Sequence, residues 1–270
     1  MDPLIITVAG IGAELTTEQQ PNLPISPQEV AEDAARCAEA GASIYHLHVR
    51  DDDGRPTMDV QRFAAVRDAI ANRTDVVVQF TTGGALGDSD EARMAPLDLR
   101  PEMASLTTGS VNFGDEVFWN PATLVRALYT RMRELGVLPE FEIFEAGMIA
   151  NALALESDSG WDHHLHFDFV LGVPGGMPAW PEAIDFLADH LPKGATWSAT
   201  GIGRGHLPVA EKAISLGGHV RTGLEDVRYF EPGRLVDSNL QLVERVVSLS
   251  EKQGREIATA AEARSILGIS

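Results

Sequence analysis

The chain has 270 residues, 44% hydrophobic and 23% charged, enough to bury a full core. Forty acidic side chains against 21 basic ones leave a net charge of −19, which argues against nucleic acid and anionic membranes as partners. No apolar run approaches the ~20 residues of a membrane span. The N-terminal MDPLIITVAG reads as a strand, not a signal peptide. A single cysteine, Cys37, permits no intrachain disulfide, which suits a reducing cytoplasm.

In chain order, the first β-rich run is Leu4–Ala9, and the segment Ser26–Ala40 is a helix. Ser26 is its N-cap, Pro27 takes the first position, Glu29 stands three after the cap, and Gly41 closes it. Cys37 lies in this helix and reads as a core thiol. Further strands are expected at Ile44–Val49, Val76–Phe80, Met103–Leu106, Phe141–Phe144, Phe167–Leu171, Thr196–Ala199 and His219–Thr222. Helical periodicity follows at Asp59–Ala71, Pro121–Leu135, Gly147–Leu155, Pro181–His190, Pro208–Leu216 and Asn239–Gln253. After the third strand, GDSDEARMAPLDL allows only a short helix. Eight strand–helix units predict a single (β/α)8 TIM barrel over residues 1–270, with a C-terminal helical tail. The competing fold is a doubly wound open sheet. It would place a GxGxxG loop after the first strand, and VAGIGAELT lacks that spacing.

The stretch YHLHVRDDDG carries His46 and His48, two residues apart on a strand and so on one side of it. In a barrel they project from the strand end where active sites form, as half of a transition-metal site. Two satisfied core histidines are the bland alternative. GGHVRTGLEDVRYF, around the eighth strand, offers Glu225 or Asp226 as a third ligand, and His-His-Glu with an open position is a normal catalytic zinc set. His163, His164 and His166 precede the sixth strand and belong at the opposite end of the barrel. His206 is either a ligand contact or a helix cap. FTTGGALG places Thr81, Thr82, Gly83 and Gly84 at the mouth, where hydroxyls and backbone N–H groups suit carboxylate or phosphate oxygens. TTGSVNFGDE does the same after the fourth strand, and each of the two loops also reads as a plain turn. Arg204, in ATGIGRGHLP, is a candidate partner for anionic phosphates. DDDGRP reads as a solvated turn with Gly54 at positive φ, and Arg50 as a group that orients nearby acids.

Together LHVRDDDGRP, QPNLPISP, TTGGA, PEMASL, NFGDEVF, FVLGVPGGM, GIGRGH and GGHVRTGLED resemble the β-keto acid cleavage enzymes, from about Pro3 to Leu267. The resemblance implies a zinc-dependent barrel that reacts a β-keto acid with acetyl-CoA, giving acetoacetate and a new CoA thioester. It implies His46, His48 and Glu225 as zinc ligands, and Arg221 and Asp226 as a catalytic pair. It makes Glu142 an active-site acid and Glu14 the partner of a substrate ammonium group. Thr81 and Ser105 stand where the family pattern implies serine and threonine, which keeps each hydroxyl but moves a methyl. A cytoplasmic homo-oligomer, a dimer or a tetramer, is implied too. A carboxylate beside arginine has a lowered pKa, so Asp226 is expected to be a weak base.

Three rivals remain. An amidohydrolase-type enzyme also uses HxH, but on the first strand. A non-haem iron oxygenase shares the two-histidine, one-carboxylate set on another fold. A metal carrier or scaffold has no use for the Arg221–Asp226 pair.

Overall fold

The computed structural model describes residues 1–159 and 164–269. Eight parallel strands close into a barrel: β1 (Ile6–Ala9), β2 (Ile44–Leu47), β3 (Val77–Phe80), β4 (Met103–Thr107), β5 (Leu138–Ile143), β6 (His166–Leu171), β7 (Thr196–Gly201) and β8 (His219–Thr222). Neighbours in space are neighbours in sequence, and β8 closes onto β1 through Thr7 beside Arg221. The expected TIM barrel is therefore the observed fold. The open sheet is excluded.

Outward strand residues pack beneath the helices and form the main core, with Phe80, Phe141, Phe167 and Phe169 fully buried. Burying each such ring contributes about 1.5–3 kcal/mol. The helices begin where the sequence supplies caps. Helix α1 (Pro27–Glu39) has the reciprocal capping box of Ser26 and Glu29, and α2 (Val60–Ala71) is capped by Asp59. After β3, α3 is only Asp90–Met94 and passes into a 3-10 turn, Ala95–Leu99, where Pro96 cannot donate to an α-helical ladder. The remaining helices are α4 (Ala122–Leu135), α5 (Gly147–Ser159), α6 (Pro181–Asp189), α7 (His206–Leu216) and α8 (Asn239–Lys252). The helical tail, α9 (Ala260–Leu267), sets Ala263 and Leu267 against Ile5, Ile44, Val77, Met103 and Leu138, plugging the N-terminal end of the barrel.

The other end stays open and is walled by short antiparallel hairpins that the periodicity does not predict. Val49–Arg50 pairs with Pro56–Thr57, Val111–Phe113 with Glu116–Phe118, and Tyr229–Glu231 with Arg234–Leu235. Inside the barrel the strands turn polar residues inward: Gln79, Glu140, Glu142, Asp168, Ser198, Thr200 and Arg221 are all buried. Among the described residues no helix is long and apolar enough to cross a membrane.

Candidate active site

At the C-terminal face a cavity of about 250 Å³ is lined by His46, His48, Glu225, Asp226, Arg221 and Glu142, together with the buried Thr81 and the exposed Glu14. His46 lies on β2 and His48 just past its end. Their rings stand edge to face with centroids 5.3 Å apart. Both Nε2 atoms face Glu225: His46 at 3.9 Å from Oε2 and His48 at 3.7 Å from Oε1. One ligand atom from each of the three residues falls within a 4.8 Å set. Burial holds both imidazoles neutral, His48 down to about 3 and His46 in the same direction, so their lone pairs are free to coordinate.

Glu225 reaches this position because loop eight folds back over the end of β1. Its N–H donates to the Ala9 carbonyl at 3.1 Å. Gly223, at φ +151°, permits the approach, since a Cβ there would drive into that same Ala9 backbone. Burial pushes the Glu225 carboxyl up, but the Arg221 guanidinium, by its charge and its hydrogen bond, outweighs it and holds the group well below the usual carboxylate range. Arg221 donates to Glu225 Oε1 at 2.6 Å, while the buried Oε2 accepts no hydrogen bond among the described residues. Two neutral imidazoles and a carboxylate with an unused oxygen fit a divalent transition metal.

Arg221 is the hub of the remaining acids. It makes a two-point contact to Asp226, Nε to Oδ2 at 3.1 Å and Nη2 to Oδ1 at 3.0 Å, and Nη1 reaches Glu142 Oε1 at 3.3 Å. Burial alone would lower its pKa, yet Asp226, Glu225, Asp168 and Glu142 raise it, so the guanidinium stays charged. Glu142 also accepts from Thr107 Oγ1 at 2.6 Å, and burial carries it up to about 7 against the pull of Arg221. Asp226 corrects an expectation. Burial pushes it up to about 6, more than Arg221 pulls it down, so the pair does not make it an unusually weak base.

Glu14 makes no hydrogen bond or ion pair among the described residues. Although Glu14 is exposed at the mouth, partial desolvation raises its pKa, reinforced by Glu116 and Glu225 and opposed by Arg50. Arg50 does not orient acids by direct contact: it donates to the carbonyls of Gly12 and Gly54, at 2.8 and 3.0 Å. Gly54 has φ +79° in the expected turn, where Asp51 Oδ1 accepts from the N–H groups of Asp53 and Arg55.

Thr81, Gly83 and Gly84 line the cavity, as does an apolar wall of Phe113, Phe118 and Phe144. Thr82 and Ser105 lie outside that lining. Thr82 Oγ1 donates to the Ser105 carbonyl at 2.6 Å and ties the loop to β4. Arg204 is exposed on the 3-10 turn Gly203–Gly205, in a shallow groove that shares Val173, Pro174 and Ile202 with the cavity. His206 turns away, its Nε2 2.8 Å from Thr222 Oγ1. His166 sits inside the N-terminal end of the barrel, 3.1 Å from Glu140, and His164 contacts Thr196 there. His163 lies outside the described residues. Cys37 is buried, and burial raises its thiol far from reactivity.

Three supporting residues carry no motif in the sequence. Gln79 contacts His46 at 2.6 Å. Arg93 donates to Thr82 O and Trp119 O and stacks over Phe118, which joins two mouth loops. Asn239 links Leu224 N–H to Gly10 O. Only for Gln79 is there a signal: it stands two residues before Thr81, which directly follows β3, and so shares its inward side.

Fold and site define a TIM-barrel protein whose open end gathers a His-His-Glu donor set and an arginine ringed by carboxylates. Comparison with known proteins narrows the class. The beta-keto acid cleavage enzyme (BKACE) family matches residues 3–269. A 3-keto-5-aminohexanoate cleavage enzyme of Fusobacterium nucleatum is 46% identical over 271 residues, spanning 100% of this chain and 99% of that protein. A 3-oxoadipate:acetyl-CoA acetyltransferase of Cupriavidus necator is 41% identical, over 99% of this chain and 95% of that one. The ternary complex of ObcA with a C4-CoA adduct and oxalate superposes with a TM-score of 0.77 at 23% identity, covering 92% of this chain and 68% of that one, which bears on the fold alone. The chain belongs to the β-keto acid cleavage enzyme family.

Proposed function

We propose that this chain is a zinc-dependent enzyme that exchanges the acyl groups of a β-keto acid and acetyl-CoA, with 3-keto-5-aminohexanoate as its substrate. The products are acetoacetate and 3-aminobutyryl-CoA. The observation that carries this reading is the placing of Arg221 and three carboxylates beside His46 and His48 in one cavity, with the unpartnered Glu14 at its rim. The relationship to a 3-keto-5-aminohexanoate cleavage enzyme over the whole chain supports the choice of substrate.

His46, His48 and Glu225 would hold the zinc. When bound, it supplies a Lewis acid next to the oxygens of the keto acid. Asp226 removes a proton from C2, and Arg221 fixes the angle of its carboxylate by two-point contact. The C2 carbanion attacks the acetyl carbonyl, forming a carbon–carbon bond and expelling the CoA thiolate. The thiolate then adds to the original keto carbon. The bond from that carbon to C2 breaks, so acetoacetate leaves and the remaining acyl group departs as the thioester. Glu142, held by Thr107 and Arg221, is the second proton carrier. Glu14 pairs with the substrate ammonium while Phe113, Phe118 and Phe144 pack its carbon tail. Arg204, in the adjoining groove, pairs with a phosphate of CoA.

The test is a coupled assay of zinc-loaded protein with acetyl-CoA and 3-keto-5-aminohexanoate, following acetoacetate and thioester, with His46→Ala as control. Turnover abolished by the substitution is expected. Silence across amino, uncharged and quaternary-ammonium β-keto acids would overturn the assignment.

A further inference from the structure

Gln79 lies on β3 beside His46 in the strand register, wholly buried, with no part in lining the cavity. Its Oε1 is 2.6 Å from His46 Nδ1. An amide oxygen only accepts, so this contact requires the proton on Nδ1. A neutral imidazole has one N–H, which leaves Nε2 as a bare lone pair. Nε2 is the atom that faces Glu225. The reversed amide would instead donate to Nδ1, move the proton to Nε2, and block coordination there. The Gln79 amide nitrogen is buried and has no hydrogen-bond partner among the described residues. An unsatisfied buried donor is a standing penalty that leucine or methionine would avoid at this position. The contact to His46 is what the glutamine gives in return.

We infer that Gln79 is a positioning residue that locks His46 in the Nδ1–H tautomer and aims its Nε2 lone pair at the metal position. A hydrogen bond to the far nitrogen of a ligating histidine fixes ring orientation and raises ligand basicity. This rests on the reading of His46 as a zinc ligand.

The test uses metal-stripped full-length protein. Long-range ¹⁵N–¹H correlation spectra report the His46 tautomer directly, and a competing chelator gives the zinc dissociation constant. Wild type is expected in the Nδ1–H form. Gln79→Leu is expected to lose that preference and to weaken zinc binding by roughly 10- to 100-fold. Gln79→Glu keeps an acceptor, and a stronger one, so it is expected to bind zinc at least as tightly as wild type. An Nε2–H tautomer in the wild-type protein would overturn the inference. So would unchanged zinc affinity in Gln79→Leu, or an equal loss in Gln79→Glu and Gln79→Leu. A structural role alone would lower the melting temperature of the stripped protein without shifting the tautomer. Should His46→Ala leave zinc binding intact, the ligand assignment fails, while the tautomer spectrum still decides the role of Gln79. If Gln79→Leu does not fold, the wild-type spectrum and Gln79→Glu decide it.

Discussion

Asn239 joins the two loops that carry Glu14 and Glu225, and its removal has a calculable effect. It is fully buried at the start of α8. Its Oδ1 accepts the Leu224 N–H at 2.8 Å, and its Nδ2 donates to Gly10 O at 3.0 Å and to Asp33 Oδ2 at 2.7 Å. Tyr45 OH donates to the same Asp33 oxygen at 2.9 Å. Asn239→Ala orphans one backbone donor and one backbone acceptor, each worth ~1–3 kcal/mol when buried, and leaves a small void. A stability loss of about 3–5 kcal/mol is expected by urea denaturation, with kcat/KM reduced because Leu224 precedes Glu225. Asn239→Asp separates the contributions. It keeps the acceptor for Leu224 but sets a second carboxylate against Asp33, whose pKa burial already raises. Two facing carboxylates bind a shared proton more tightly folded than unfolded, so stability is retained at low pH and lost as pH rises through the folded pKa. The deficit of Asn239→Asp is expected to be small near pH ~4.5 and large near pH ~8. A loss below about 1 kcal/mol in Asn239→Ala, or a deficit in Asn239→Asp that does not change with pH, would refute the clamp.

Glu14→Gln is expected to lower kcat/KM roughly 10- to 100-fold for an amino-bearing β-keto acid and to leave an uncharged one nearly unaffected; equal losses on both would remove Glu14 from recognition of the cation. Arg93→Met breaks the contacts to Thr82 O, Trp119 O and Asn120 Oδ1 and frees the Phe118 wall. It is expected to lose about 2–4 kcal/mol of stability and to raise KM more than it lowers kcat. Asp168, bonded to Ser198 and Thr200, is raised by burial from the usual 3.8 to about 7. The folded protein therefore holds a proton that the unfolded chain releases, and stability contributed by this group falls as pH rises between those values. Asp168→Asn is expected to flatten that slope in unfolding experiments across the window; an unaltered slope would assign it to other groups.

Much of the barrel is legible in the sequence because apolar runs and capped helices alternate at a regular spacing. The HxH pair is legible for a local reason: period-two geometry puts His46 and His48 on one side, whatever the rest of the chain does. Glu225 needed one further step, that the eighth strand closes beside the first. The hairpins at the mouth were not legible, since strands of two or three residues leave no periodic trace. Arg93 and Asn239 leave no periodic signal, since their partners lie in loops 11 to 229 residues away; Gln79 shows only its inward position, and its contact with His46 depends on the pairing of two neighbouring strands. At Asp226 the adjacency to Arg221 is visible in sequence, whereas the burial that outweighs it is not. His166, expected before the sixth strand, is its first residue and lies 3.1 Å from Glu140 inside the barrel.

Acyl exchange across a carbon–carbon bond has an unambiguous isotopic signature. Acetyl-CoA labelled with ¹³C at the acetyl carbonyl, incubated with zinc-loaded protein and 3-keto-5-aminohexanoate, should place the label at the keto carbon of acetoacetate and leave the new thioester unlabelled. Label recovered in acetate, with unlabelled acetoacetate or none, would mean simple CoA transfer or hydrolysis and would contradict the proposed reaction.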